Sequence, residues 1–583
     1  MEGFWTVISA ANDVIWHDYV LLVVFGTGVL FTVWSAFGQY RALTHGVQVV
    51  RGVYDDKGDP GAINHFQALS TALSATVGLG NIAGVSIAIS LGGPGAVFWM
   101  WMVGLVGMAL KMTEVTQAML YRNTDDPENP HGGAMWVASQ GFAKISPALA
   151  PLGAVVAVLF CLTLLVSTLT GGNMFQAWNV ADISFEYFGI PKIVTGIILT
   201  VAVGAVIVGG IKRIGDVAGR VVPVMCGIYI LAGLYVIVTN LGQVPGYLAL
   251  IVREAFSPNE AAGAFVGGSA GYAFLKGMQR ALFSNEAGQG SAPIAHSAAK
   301  TDEPAREGIV AGLEPFVDTL CVCTITALVI MLSGAWDRPP ALRVDGPAPV
   351  FTQAGAARGR VTWETAPVRV VVADENEALQ QMRAGKELFL VVDTGVNPET
   401  GGSRFKVPGT LSGTEEEGFT ASFGRLQTPE GVVPQLAIQG IYFDHKGATL
   451  TAKAFDRVLP GLGKWIVPAT AWLFAFSTII SWSYYGEQGV VYLLGLRSVM
   501  AYRVVYCLLI LVTVQLVRTE AQLDILSTLG TGVMLLVNIP IMLIFGRQAM
   551  RAYHEYVGRL KSGTMRRHDA PPLIDVVDGT DVE

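Results

Sequence analysis

Long apolar runs alternate with short polar connections along most of this chain. The pattern predicts eleven hydrophobic helices, at roughly 19–40, 66–92, 95–120, 147–175, 190–211, 218–240, 262–297, 307–333, 464–495, 499–517 and 522–546. A helix crosses the hydrocarbon core of a bilayer in about 20 residues, so each run reads as a membrane span. Residues 335–463 break the pattern: Pro, Gly and charge rise, and strand-like runs at 368–373 and 388–392 precede the turn formers Pro398, Gly401, Gly402 and Gly413. A stretch of this length is too long for a bare connection, and it predicts a β-rich domain on the extracytoplasmic face. The fold class expected is an all-α polytopic membrane protein with one soluble insertion. Spans one to eight occupy 1–334, the insertion 335–463, spans nine to eleven 464–546, and a basic-then-acidic cytoplasmic tail 547–583.

Composition agrees with a membrane solvent. Of the 583 residues, 52% are hydrophobic and 14% charged, where soluble domains carry about 25% charged residues. The 68 glycines suit helices that approach closely through small side chains. A net charge of −7 with no basic face excludes a nucleic-acid partner. All five cysteines lie in apolar runs, which argues against a disulfide framework or a thiolate metal site. Neither HExxH nor a Walker A string occurs and the eight histidines are scattered, so no enzyme is expected. No Lys or Arg precedes Arg41, so the run 20–37 is expected to be a retained helix rather than a cleaved signal. Basic residues such as Arg41, Arg51, Arg122, Arg213, Arg220 and Arg306 cluster after odd-numbered spans, while the opposite loops hold only Lys192, Arg253 and Arg518. The positive-inside rule then places the N-terminus outside and the C-terminus in the cytoplasm of a bacterial inner membrane.

Two spans carry breaks. In the second, Thr76-Val-Gly-Leu-Gly-Asn-Ile-Ala-Gly84 sets three glycines in an apolar helix, each costing about 0.5–1 kcal/mol of helix stability relative to alanine. In the seventh, Phe283-Ser-Asn-Glu-Ala-Gly-Gln-Gly-Ser-Ala-Pro293 adds Ser284, Asn285, Glu286 and Gln289 to loosening glycines and a proline. Polar groups inside spans are functional candidates, and matching breaks in two halves are the sequence mark of a transporter's binding site. Packing of small residues explains the glycines but not Asn81, Asn285, Glu286 and Gln289 together. Lys111 and Glu114, three apart, are expected to pair and to snorkel toward the cytoplasm. Glu314 and Asp318 are expected near a cytoplasmic helix N-terminus, which favours acids.

The strings GLGNIAG (78–84), LGGPGAVFWMW (91–101), GGIKRIG (209–215), FSNEAGQGSAPIAH (283–296), EPFVDT (314–319) and SWSYYGE (481–487) resemble the alanine/glycine:cation symporter family over all eleven spans. The resemblance implies an inverted-repeat, leucine-transporter-like 5+5 core with an extra first helix. It implies alternating-access symport of a small neutral amino acid, alanine or glycine favoured, driven by Na⁺ and in some members by H⁺. A lipid bilayer is the only other partner implied, with no cofactor beyond the coupling ion and no protein partner.

Carried onto this sequence, the resemblance places the substrate carboxylate at Gly78, Leu79, Gly80 and Asn81. Gly171 and Gln176, Phe283 and Asn285, and Thr478 and Trp482 would read the rest of the substrate. One sodium would sit at Asn81 and Thr76, a second at the Ser74 and Val77 carbonyls with the Ser477 and Thr478 hydroxyls. Glu286 and Asp318 are the coupling or gating candidates, with Glu286 expected to brace the break through backbone N–H groups or to titrate under H⁺ coupling. The chain departs from the family at Leu79, where Thr is usual. The rival readings are a proton-coupled amino-acid symporter and a transporter-derived ligand sensor that signals through the insertion.

Overall fold

The computed structural model describes residues 2–578, apart from 57, 258–263, 358, 374–380, 397–399, 446, 462 and 518–519. Among the described residues, seven helices are long and apolar enough to cross a membrane, or nine if each of two bent pairs is one span. The first bent pair is α1 (Glu2–Ile15) with α2 (Asp18–Trp34). The second is α3 (His65–Thr76) with α4 (Val85–Gly92), bent by 48°. Asn64 caps α3: its side chain accepts from Gln67 N and its own N–H meets the Gln67 side chain, a reciprocal capping box.

There follow α5 (Gly95–Leu120), the short α6 (Ala134–Ile145), and α7 (Ala150–Leu169), which runs through a π-helical turn at Thr170–Phe175 into α8 (Gln176–Phe188). The expected fourth span thus continues to residue 188, because the glycine pair Gly171–Gly172 widens the helix instead of ending it. Next come α9 (Lys192–Ile207), α10 (Gly210–Thr239), α11 (Val244–Glu254), α12 (Ala270–Asn285), α13 (Ala292–His296), α14 (Pro304–Ala311) and, after a π-helical stretch at Phe316–Cys323, α15 (Thr324–Leu332).

Nine strands follow: β1 (Leu342–Val344), β2 (Phe351–Ala357), β3 (Arg360–Thr365), β4 (Val368–Val372), β5 (Glu387–Asp393), β6 (Arg404–Thr414), β7 (Gly418–Phe423), β8 (Leu426–Pro429) and β9 (Gln435–Phe443). Six close a barrel in the order β1-β4-β7-β6-β5-β9, and β2-β3-β8 form a side sheet. Every pairing is antiparallel, and the barrel closes where Leu342 faces Ile441. Leu388, Leu390 and Val392 of β5 fill the barrel, while Phe389 and Val391 on its other face pack on Tyr442 and Ala264. The strand runs read from sequence fall on β4 and β5.

The strands stop at residue 443, and α16 (Gly447–Val458) returns to the helices as a buried amphipathic segment, with Ser86 Oγ donating to Gly447 O and Thr451 Oγ1 donating to Ile82 O. Helices α17 (Gly463–Leu494), α18 (Val499–Leu516), α19 (Glu520–Ser562) and α20 (Leu573–Asp578) complete the chain. Here α19 carries the expected last span well into the expected tail, and α20 packs back on the bundle, with Asn64 Nδ2 donating to Val576 O and Arg220 paired with Asp578.

Candidate functional site

Both predicted breaks are present. Helix α3 ends at Thr76, Val77 leaves helical geometry at ψ 82°, and a π-helical turn at Gly80–Gly84 restarts the chain toward α4. The second break spans 286–291. Glu286 takes a left-handed conformation at φ 55°, with Gly288 and Gly290 both at φ 81°. A non-glycine residue held there stores backbone strain that the surroundings must over-determine.

The two breaks face a small closed cavity lined by Thr76, Gly78, Gly80, Gly171, Gln176, Phe283, Glu286, Gln289 and Trp482, with Ala75, Ser167 and Thr531 completing the wall. Its volume of about 10 Å³ is near the minimum that holds one water molecule. The conformation is therefore closed. Gln176 bridges two elements: its Oε1 accepts from Leu79 N at 3.2 Å, and its Nε2 donates to Gly171 O at 3.2 Å. It thereby satisfies a backbone donor that the break exposes.

Glu286 does not brace the break through backbone N–H groups. Its carboxylate accepts from Ser291 Oγ at 2.5 Å and from Trp482 Nε1 at 3.0 Å. The backbone role falls to Glu114 of α5, which accepts from Gly290 N at 3.0 Å and from Asn538 Nδ2 at 3.1 Å. Trp482 gives the cavity both an apolar face and this donor, and it lies against the bare backbone of Gly172, where an added Cβ would come within 2.4 Å of its Cγ.

The expected sodium ligands divide. Thr478 Oγ1 donates to Ser74 O at 2.9 Å, so the hydroxyl and carbonyl assigned to the second ion do meet. Ser477 Oγ instead bonds its own helix at Phe474 O, and Ser74 Oγ pairs with Ser481 Oγ at 2.8 Å. Thr76 Oγ1 turns back to Ala72 O, and Val77 lies in the unwound turn itself. Asn81 Oδ1 accepts from Gly78 N at 2.9 Å, and its Nδ2 donates to Asp318 Oδ1 at 2.5 Å.

Asp318 is fully buried, not at a solvent-facing helix end, and the π-helical stretch it sits on brings it to Asn81. Ser284 Oγ and Thr319 Oγ1 also donate to its carboxylate. A buried carboxylate held by uncharged donors fits a monovalent cation as its counter-charge. Asn285 points away from the cavity: its Nδ2 donates to Thr319 Oγ1 at 3.1 Å and its Oδ1 accepts from Ala287 N. The Leu79 side chain is likewise buried in the core outside the lining, and this residue offers the cavity only its backbone.

Two other expectations are corrected. Lys111 and Glu114 do not snorkel; both are buried, because Lys111 Nζ lies 3.3 Å from Glu314 Oε2, a partner 203 residues away in the sequence that spacing does not reveal. Glu314 is itself fully buried and accepts from, or shares a proton with, His296 Nε2 at 2.7 Å. Farther out, Arg280 of α12 is fully buried and pairs with Asp524 of α19.

A model of the sodium:alanine symporter family matches residues 1–372 and 434–570. The unmatched interval holds β5 to β8. A sodium/alanine symporter, AgcS, of Methanococcus maripaludis is 33% identical over 87% of this chain and 87% of its own length. A putative sodium/proton-dependent alanine carrier protein, YrbD, of Bacillus subtilis is 28% identical over 95% of this chain and 93% of its own. A probable sodium/glutamine symporter, GlnT, of the same organism is 37% identical over 57% of this chain and 66% of its own.

Proposed function

This chain belongs to the sodium:alanine symporter family, and on that premise we propose that it moves a small neutral amino acid, alanine or glycine first, by Na⁺-driven symport across a bacterial inner membrane. Cation-coupled amino-acid transport by a multi-pass membrane protein follows from the family; the substrate, the ion sites and the topology are our reading. The observation that carries it is the closed cavity between two unwound segments, with Gln176 bonded to the first and Trp482 to the second.

Adding the shorter apolar helix α9 and the broken pair α12/α13 to the bent pairs brings the spans to the expected eleven. The paired breaks support an inverted-repeat, leucine-transporter-like core. With the N-terminus outside, the barrel lies outside and α20 in the cytoplasm.

In this reading a substrate carboxylate displaces Gln176 Oε1 from the Leu79 N–H at the start of the restarted helix, where the dipole favours an anion. The ammonium faces Glu286, and the small side chain lies against Phe283, Trp482 and the bare backbone of Gly171. One Na⁺ is held by Asn81 and Asp318, a second where Thr478 meets Ser74 O. A membrane potential of about 100 mV contributes about 2.3 kcal/mol for each charge moved inward. The closed cavity opens outward when Arg280 parts from Asp524, and inward when α3 and α13 swing from their neighbours.

The test is uptake of labelled alanine and glycine into proteoliposomes with and without an inward Na⁺ gradient. Gradient-dependent accumulation that collapses in Asn81→Ala supports the reading. Binding without accumulation under either a Na⁺ or an H⁺ gradient supports the sensor instead.

A further inference from the structure

Behind the second break runs a chain of buried ionisable side chains that the transport cycle above does not use. Lys111 Nζ lies 3.3 Å from Glu314 Oε2 and 3.9 Å from Glu114 Oε1. Glu314 Oε1 lies 2.7 Å from His296 Nε2, and His296 Nδ1 contacts Glu307 Oε1. The other oxygen of Glu307 contacts His65 Nδ1, and His65 Nε2 faces Asp55 Oδ1 at 3.7 Å. From Lys111 to His65 every side chain is at most 3% exposed; Asp55 is 34% exposed, so the chain reaches water there.

The geometry calls for one proton more than a neutral imidazole and two carboxylates hold. A neutral imidazole has one N–H donor, yet both ring nitrogens of His296 face carboxylate oxygens. Glu307 in turn presents both oxygens to histidine rings. Charge points the same way. With neutral histidines, one ammonium would face the three buried carboxylates Glu114, Glu307 and Glu314, an imbalance that low dielectric makes costly. An imidazolium at His296 and the Arg122 guanidinium near Glu307 balance the set.

Arg122 brings a further positive charge toward Glu307. Arg122 spends its guanidinium on the carbonyls of Ser297, Ala299, Pro60 and Thr301. Arg306 lies with Asp59 and Asp302 at the watery end, His45 stands near His65, and Asp216 accepts from Gln67 of α3. Glu286 and Tyr485, in reach of Lys111 and Glu314, add only acidic groups.

The residues also sit on the pieces that must move. His65 opens α3 and His296 ends α13, the two half-helices on one side of the cavity. Glu307 lies on α14, Glu314 just beyond it, and Lys111 on α5. We infer that this chain is a proton-binding site, loaded with a proton on His296 in the closed conformation, that latches α3 and α13 to α14 and α5. The proton leaves His296 Nδ1 for Glu307 and passes to water at the Asp55 end, and the latch then loosens. Naming that end cytoplasmic rests on the topology proposed above; the protonation and the latch do not.

The test uses the full-length protein, labelled with ¹⁵N-histidine, in lipid nanodiscs at pH 7.5 without substrate. An ordinary histidine, with pKa about 6.5, is about tenfold in favour of the neutral form there. Of the eight histidine signals, the one lost in His296→Gln is expected to show both ring nitrogens protonated. Should that variant not fold, Glu307→Gln makes the assignment, because it touches the His296 ring and should turn its signal neutral. Hydrogen exchange then reads the latch. At one pH, amides of 65–76 and 292–296 should exchange at least about tenfold faster in Glu307→Gln than in the unaltered chain, with 95–120 unchanged. A neutral His296 ring at pH 7.5 overturns the proton site. A charged ring with unchanged exchange in Glu307→Gln overturns the latch. Neither result depends on transport, so failure here is distinct from failure of the symporter reading.

Discussion

Replacing Gly172 by alanine tests whether the closed cavity is a state of the transport cycle. The added Cβ would lie 2.5 Å from Trp482 Cβ, 2.4 Å from Cγ and 2.7 Å from Cδ2, where carbon atoms settle at about 3.5–4.0 Å. Trp482 must therefore retreat by roughly 1 Å. Its indole is tethered to Glu286 at 3.0 Å and packed edge-on to Tyr485 at 5.3 Å between ring centroids, so it has little room to do so. Overpacking of this kind costs about 1–3 kcal/mol. Borne by the closed conformation alone, that lowers its population about 5- to 150-fold.

The assay is the initial rate of Na⁺-driven alanine uptake in proteoliposomes at matched protein density. Gly227→Ala serves as control, because that position in α10 has no neighbour within 4 Å of an added Cβ and shares the helix-propensity gain of about 0.5–1 kcal/mol. The expected result is a fall of at least fivefold in Gly172→Ala and none in the control. Equal rates in the two variants refute the argument that the closed cavity lies on the transport path.

Asn81→Ala removes the amide that links Gly78 N to Asp318. A lost charge-assisted bond of about 1.5–3 kcal/mol should raise the half-saturating Na⁺ concentration about 10- to 150-fold, read from uptake against Na⁺; an unmoved value dismisses Asn81 as an ion ligand. Asp524→Asn strips the counter-charge from the buried Arg280. It should slow uptake at least about fivefold while equilibrium Na⁺ binding stays, and an unaltered rate excludes the pair as a gate. Replacing 343–440 by a short Gly/Ser linker between Leu342 and Ile441 should leave uptake within about twofold, because paired antiparallel residues stand only about 5 Å apart. Loss of uptake in correctly inserted protein would make the barrel part of the transport machinery.

The breaks were legible because glycine and intramembrane polar residues leave local marks: Gly78, Gly80, Gly288 and Gly290 announce unwinding wherever the helix ends. What spacing alone missed was set by contacts distant in sequence. Lys111 beside Glu114 reads as an exposed pair until Glu314 folds onto it. Ser167 and Thr531 look like ordinary helix residues, and only the packing of α7 against α19 brings them to the cavity wall. Helix α16 is hidden at the end of a β-rich stretch, since its polar groups meet the Ser86 hydroxyl and the Ile82 carbonyl instead of water. Asn285 was assigned to the substrate by its place in the motif, but the left-handed turn at Glu286 directs its amide to Thr319.

Three π-helical stretches, Gly80–Gly84, Thr170–Phe175 and Phe316–Cys323, converge on the residues discussed here. A π-turn holds surplus backbone, about one residue beyond what an α-turn needs. A helix that carries such slack can hand it along its axis, turning one end by about 100° against the other without surrendering its hydrogen-bond ladder. Residues such as Asp318 and Gly171 are thus mounted on swivels, able to reorient within a span that, seen from the lipid, never unwinds.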